Sequence, residues 1–263
     1  MQNKSMTIAK RVLVQVIFYI LLIAIWQGLY FIGVDIFKLW KPYAFPHPLG
    51  VFESLLLLIQ RNALFNAVFF SMKRAVIGYL ISVVIGFFIG ILLIKFKILS
   101  DTLKPLILGV QTLPSICWVP FAILWLGLTE AAIIFVIVMG STFSIAIAVS
   151  MGLRSVNPIY IKAAKTMGAK GIALYIKVIF PASLPPLISG LKQGWSFAWR
   201  SLMAGEVMTA TVGLGQALTM GRDLADINKV MLIILITIIL GVLIEKLVFT
   251  MAENKVLKRM GLA

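Results

Sequence analysis

The feature that most constrains this chain is the length of its uncharged apolar runs. Residues 12–34, 75–94, 105–129 and 131–153 contain no Asp, Glu, Lys, Arg or His. A helix needs roughly 20 apolar residues to cross the hydrocarbon core, about twice what a buried helix of a soluble domain needs. Two further runs are interrupted, 178–206 by Pro181, Pro185, Pro186, Lys192 and Arg200, and 230–251 by Glu245 and Lys246 near its end. The sequence therefore predicts an all-α, polytopic membrane protein with a single domain over 1–263. Its six spans are expected at about 12–34, 67–94, 105–127, 131–153, 178–206 and 230–251.

Composition agrees, since 61% of the residues are apolar, 13% are charged and mean hydropathy is +1.06. A soluble fold could not hide that much apolar surface. The first run is too long for the apolar region of a secretory signal, and no small-x-small cleavage site follows it. A net charge of +15 could suggest nucleic acid. The Lys and Arg residues stand between spans, however, rather than in a patch interleaved with exposed aromatics, so no nucleic-acid partner is expected. Cys117 is the single cysteine and lies inside an apolar run, which leaves no disulfide framework or metal spacing and makes it a small packing residue. His47 stands between Pro46 and Pro48 without a carboxylate or thiol nearby, which favours a structural role.

Cytoplasmic loops collect Lys and Arg near span ends. With both termini inside, 15 of the 24 basic residues fall in or beside cytoplasm: Lys4, Lys10, Arg11, Lys95, Lys97, Lys104, Arg154, Lys162, Lys165, Lys170, Lys177, Lys246, Lys255, Lys258 and Arg259. The outer connection 35–62 carries Pro42, Pro46 and Pro48, then a Glu53-containing apolar stretch that could form an amphipathic helix on the membrane surface.

The connection 154–177 carries five basic residues and no acid. Asn157 is a good N-cap, Pro158 suits the first helical position, and Gly168 can take the left-handed conformation that ends a helix. Within that helix Tyr160, Ala163, Ala164 and Met167 form one small-residue face, with Lys162 and Lys165 to the side. Such a face suits a close-fitting partner. An interfacial helix lying on phospholipid is the plainer alternative.

The stretch Lys162-Ala163-Ala164-Lys165-Thr166-Met167-Gly168, followed at the correct spacing by Val178-Ile179-Phe180-Pro181, resembles the EAA signature of binding-protein-dependent ABC importer permeases. Ala163, Ala164, Gly168 and Pro181 match that signature. Val178 and Phe180 are apolar replacements, and Lys162 stands where the family has glutamate. The resemblance extends over nearly the whole chain to the nitrate, sulfonate and taurine branch, through Phe45-Pro46-His47-Pro48, Gln111-Thr112-Leu113-Pro114, residues 118–127 and residues 199–206.

That resemblance implies a type I importer permease fold in the bacterial-type inner membrane, with 154–177 as the loop bearing the coupling helix. Tyr160, Lys162, Ala163, Ala164, Met167, Gly168 and Pro181 would contact a cytoplasmic ATPase subunit. An external solute-binding protein would deliver a small anionic solute, and a second permease copy would complete the pore within the lipid. ATP and Mg would sit on the ATPase, with no cofactor on this chain. Consistent with that division, the chain has no Gly-x-x-x-x-Gly-Lys-Ser/Thr phosphate loop and is not expected to be an enzyme.

Charges inside spans are costly and usually face water or a polar partner. Arg200 and Glu206 are thus candidates for the pathway or gate, with Gln111, Pro114, Lys192 and Gln193 beside them. Arg200 and Glu206 are six residues apart, about 9 Å along a helix and two-thirds of a turn around it, so an interhelical or intersubunit partner is expected. Equally, Arg200 could serve only to bond carbonyls freed at Pro114 or Pro120. Pro114 and Pro120 should break the third span, and Pro181, Pro185 and Pro186 the start of the fifth. Gly86 and Gly90 form a small-xxx-small pair expected at a helix crossing. An autonomous secondary transporter or channel would instead show embedded acid clusters or inverted repeats, and neither is visible.

Overall fold

The computed structural model describes residues 8–260, and every regular element among them is helical. Lys4 lies outside the described residues, as do the side chains of Arg11 and Arg259. In chain order the helices are α1 (Ile8–Tyr30), α2 (Pro48–Gln60), α3 (Ala63–Lys95), α4 (Lys97–Gln111), α5 (Val119–Leu126), α6 (Glu130–Arg154), α7 (Pro158–Thr166), α8 (Gly171–Leu174), α9 (Phe180–Thr209), α10 (Leu214–Asp223), α11 (Ile227–Ile244) and α12 (Met251–Arg259). Wider π turns extend α1 through Phe31–Ile36, join α8 to α9 through Tyr175–Ile179, and join α11 to α12 through Glu245–Thr250.

Five helical runs are long and apolar enough to cross a membrane, and a sixth is gained if one bent pair counts as a span. The bent pair is the third expected span. Between Gln111 and Ser115 the axis turns by 100°. Pro114 sits at this break, but Pro120 does not break the chain, because it occupies the first turn of α5 where no intrahelical N–H is needed. The expected interruption at Pro181, Pro185 and Pro186 is also corrected. The helical run Gly171–Thr209 is 39 residues long and passes through all three prolines, with the π turn of Tyr175–Ile179 just before them. Pro181 comes just after that π turn, and Pro185 and Pro186 lie inside α9 without ending it.

The chain packs as two compact units. The first takes the described residues up to Leu64 with Ala217–Leu235. The connection 35–62 does form a helix, α2, capped by His47, whose Nδ1 accepts from the Gly50 N–H at 3.4 Å. The His47 ring packs at a tilt against Tyr30 with centroids 4.6 Å apart, and its backbone N–H donates to Asn228 Oδ1 at 2.8 Å. Gly50 is required here, since a Cβ would collide with the Asn228 amide. The histidine is thus structural.

The second unit, Phe65–Gln216 with the described residues from Ile236 onward, is built around α6. On one side α3 runs parallel to it, with Gly78, Gly86 and Gly90 facing Ile137, Ile145 and Val149 in turn. On another, α9 runs antiparallel, with Gly190, Gly194 and Gly205 facing Ala148, Ile145 and Ile133. Lipid offers no hydrophobic drive for helices to associate, so close backbone approach at small residues and interhelical hydrogen bonds must hold them. Ser141 Oγ on α6 supplies one such bond to Ser82 Oγ on α3 at 2.7 Å.

A Cβ on Gly86 would stand 2.8 Å from Ile145 and 3.0 Å from the Thr142 carbonyl. Gly86→Leu is therefore expected to destabilise the unit by at least about 1–3 kcal/mol. Gly109→Leu, at a position with open space around it, should be neutral. The fraction of protein recovered monodisperse from membranes after a heat step distinguishes the two.

Candidate functional site

α7 begins and ends with complete capping geometry. Asn157 Oδ1 accepts from the Ile159 N–H at 2.9 Å, and Pro158 opens the helix. At the other end the Ala169 N–H reaches the Ala164 carbonyl at 2.9 Å and the Gly168 N–H reaches the Lys165 carbonyl at 3.0 Å. This doubly bonded termination needs a left-handed residue, and Gly168 has φ +89°. Ala164 anchors the helix in a small core with Val156, Leu174 and Ile179. Tyr160, Ala163 and Met167 face outward, and Met167 is 88% exposed.

That outward face forms one wall of a cleft of about 530 Å³. Tyr160, Ala163, Ala164 and Met167 meet Val178 and Pro181 there, with Val256 of α12 and Met260 just after it beyond them. Lys162 and Lys165 are exposed beside it, and Gly168 lies at the helix end with open space where a Cβ would be.

A second cavity, of about 340 Å³, lies at the break between α4 and the turn Ser115–Trp118. It is lined by Gln111, Thr112, Pro114 and Ser115 from the break, Gly140 and Phe143 from α6, and Phe197 and Arg200 from α9. The expectation that Arg200 bonds carbonyls freed at the prolines is not met. Its Nε donates to the Ser196 carbonyl of its own helix at 3.1 Å, and its guanidinium lies 4.6 Å over the Phe197 ring.

Glu206 belongs elsewhere, in a buried ion-pair network at the end of α6 that carries Glu130. Its carboxylate is fully buried. Arg74 Nη1 on α3 donates to Glu206 Oε1 at 2.8 Å and to the Val212 carbonyl at 2.8 Å, while Nη2 reaches Glu130 Oε1 at 2.9 Å. The Ser71 hydroxyl lies 2.8 and 2.7 Å from the two Glu206 oxygens and accepts from the Leu214 N–H at 2.8 Å. The Gly215 N–H donates to Glu206 Oε2 at 2.9 Å. Lys73 stands 3.7 Å from Glu130, giving two cations and two carboxylates. Gly213 and Gly215 are glycines because a Cβ on either would collide with Glu206. The network pins the segment 210–216 to α3 and α9.

The sequence-predicted residues therefore divide. Gln111, Pro114 and Arg200 share the second cavity, and Tyr160, Ala163, Ala164 and Met167 gather with Pro181 at the cleft, whereas Lys162 and Gly168 do not line it. Lys192 lines neither and pairs with Glu245 at 2.9 Å. Gln193 is exposed and lines neither. Cys117, expected as a packing residue, is exposed on the short turn after the break. Sequence reasoning missed Ser71 and Arg74. The available signal was that Arg74 abuts the uncharged run 75–94, so that a buried Glu206 had a cation at the right membrane level.

Residues 82–258 match the family model described as binding-protein-dependent transport system inner membrane component. This chain belongs to that family. It is an ABC transporter permease and a multi-pass membrane protein. A Bacillus subtilis protein named as an aliphatic sulfonates transport permease is 30% identical to the permease over 237 residues, 90% of this chain and 84% of the relative. The nitrate import permease of a Synechocystis strain is 25% identical over 212 residues, 77% of each. Among solved structures, that of an amino acid ABC transporter with histidines superposes with a TM-score of 0.64. It covers 76% of this chain and 97% of that one at 15% identity, so it speaks to the fold.

Removing one partner of a buried ion pair leaves an uncompensated charge, at a cost of about 3–5 kcal/mol. Arg74→Ala and Glu206→Ala should each lower the unfolding temperature of the purified permease by many degrees. The double variant Arg74→Met with Glu206→Met should be more stable than either, leaving Glu130 with Lys73. A double variant less stable than both singles would contradict the assignment.

Proposed function

We propose that this permease is the pore-forming subunit of an ATP-driven importer for a small oxyanion, with both termini in the cytoplasm. In this reading a cytoplasmic ATPase seats on the cleft between α7, the start of α9 and α12. ATP and Mg belong to that ATPase, and this chain binds no cofactor. An external binding protein delivers the solute, and a second copy of the permease completes the pore. The oxyanion class is supported by the relatives named for aliphatic sulfonates and for nitrate, which share an anionic oxygen-bearing group.

The observation that carries the reading is the convergence at the cleft. Tyr160, Ala163, Ala164 and Met167 lie on the same concave surface as Val178 and Pro181, although 10 or more residues separate the two groups. A large apolar side chain as exposed as Met167, on a helix outside any span, is suited to insertion into a partner. Lys162, Lys165 and Lys170 surround it with positive charge. A partner surface with acidic residues around an apolar pocket would complement them.

The mechanism in this reading is mechanical. Closure of an ATPase dimer displaces α7, and α7 is tied through the Ala164 core to the π turn that starts α9. α9 then carries the displacement into the membrane. Two variants test this in membranes containing the ATPase and binding protein. Met167→Asp should reduce ATPase co-purification about tenfold or more, because a charge must then be desolvated at the contact. Gly168→Arg should abolish transport while inserting normally, because the φ of +89° is strained for any side chain. Unchanged transport by Gly168→Arg in a normally inserted protein rejects the coupling role.

A further inference from the structure

Arg74 faces two carboxylates and Lys192 faces one, but Arg200 faces none among the described residues. Its Nε is used by the Ser196 carbonyl, and its terminal nitrogens have no hydrogen-bond partner among the described residues. Such an arginine inside a span is expensive unless water or a ligand meets it. The backbone break at 112–114 imposes a second, independent requirement. Irregular backbone at membrane depth persists only where protein covers it or where it lines a hydrated cavity. Both features line the same 340 Å³ space, and Arg200, exposed on α9, also lines an adjoining one of about 440 Å³ together with Glu245.

The depth of that space follows from Gly140, which lies 10 residues after Glu130 and 14 before Arg154 on α6. At the helical rise this is about 15 Å from one end and about 21 Å from the other. The cavity is therefore near the middle of the span. Gly140 lines it, and a Cβ there would collide with Ser201 Oγ of α9 and stand 3.4 Å from Ser115 Cβ.

We propose that this cavity is an oxyanion-binding station on the path through the membrane, with Arg200 as its charged donor. The planar guanidinium presents paired N–H groups that match two oxygens of a nitrate or sulfonate group. Gln111, Thr112 and Ser115 bring neutral hydrogen-bonding groups to the same space, and no acid lines it to repel an anion. The Phe197 face under the guanidinium holds it in place. The proposal rests on the import reading and adds to it a place and a ligand chemistry.

The test uses the permease assembled with its ATPase in lipid nanodiscs, in a Cys117→Ala background with Ser115→Cys as reporter. Labelling rates are compared for an anionic sulfonatoethyl and a cationic trimethylammonioethyl methanethiosulfonate. With Arg200 present the anionic reagent should react about tenfold faster, and with Arg200→Gln the ratio should fall to near one. Nitrate or ethanesulfonate at millimolar concentration should slow labelling when Arg200 is present, whereas chloride at equal ionic strength should not. Arg200→Lys, which keeps the charge and loses the fork, should retain the reagent preference and weaken oxyanion protection severalfold. Equal reagent ratios in Arg200 and Arg200→Gln proteins, or no protection by either oxyanion, overturns the proposal. The latter outcome is also what a carboxylate from a second copy paired with Arg200 would produce. ATP hydrolysis in the same samples separates the two readings. Flat labelling with intact, permease-dependent hydrolysis removes only the station, whereas absence of a bound ATPase removes the import reading and leaves the labelling result standing.

Discussion

The second unit depends on backbone contact around α6. Ile145 is held between Gly86 of α3 and Gly194 of α9, and neither contact survives the addition of a Cβ. In water, a large apolar side chain between two helices would be held by its removal from solvent. In lipid that term is nearly absent, so the association rests on dispersion and on the interhelical hydrogen bonds that close approach permits. The glycines therefore set the distances at which polar groups on different helices can meet. With α3 and α9 both held tightly to α6, Arg74 comes within 2.8 Å of Glu206 across helices. The same tightness at Gly140 brings α6 against Ser201 of α9, next to the space lined by Ser115 and Arg200.

Local features were legible in the sequence because local physics determines them. Uncharged runs marked the spans, since charge in hydrocarbon is costly wherever the helix goes next. The start and stop of α7 were legible at Asn157, Pro158 and Gly168, because capping depends on a few consecutive residues and a φ that glycine tolerates. The prolines were misjudged for a related reason. A proline's effect depends on which carbonyl its absent N–H would have met. Pro120 falls in the first turn of α5 and Pro181 follows a π turn within a continuous helical run, whereas Pro114 coincides with a 100° change of direction. The partners of Glu206 were legible only as far as a cation, Arg74, beside an uncharged run; Ser71 and Arg74 lie more than 130 residues away, and tertiary packing alone selects them.

The embedded cations form a graded series that bears on their roles. Arg74 is almost fully buried, has three oxygen acceptors and is balanced by two carboxylates. Such a group is an anchor, because any movement would strand charge away from its partners. Lys192 is partly exposed, with one carboxylate. Arg200 has a backbone carbonyl and an aromatic face, and both come from its own helix. Because neither contact crosses to another helix, Arg200 travels with α9 as a body. An interhelical lock would hold it; a group serving a moving solute must be free of one.

α9 links the three places that matter. Its first turn contributes Pro181 to the cleft, its middle contributes Arg200 to the cavity, and its last turns contribute Glu206 to the buried network. Thirty residues of helix are about 45 Å long, so one rigid element reaches from the cleft to the pinned segment 210–216. The end at Glu206 is fixed by charge-assisted bonds from Arg74 and by N–H groups of the chain that follows. The other end begins at a π turn, a wider and less regular geometry than the α-helix on either side. A rod fixed at one end and jointed at the other responds to a push at the joint by tilting about the fixed end. In that motion displacement grows with distance from Glu206, so Arg200, six residues away, moves far less than Pro181. A small, repeatable displacement of the cation is the regime in which a binding station can be opened and closed without dismantling the contacts that define it.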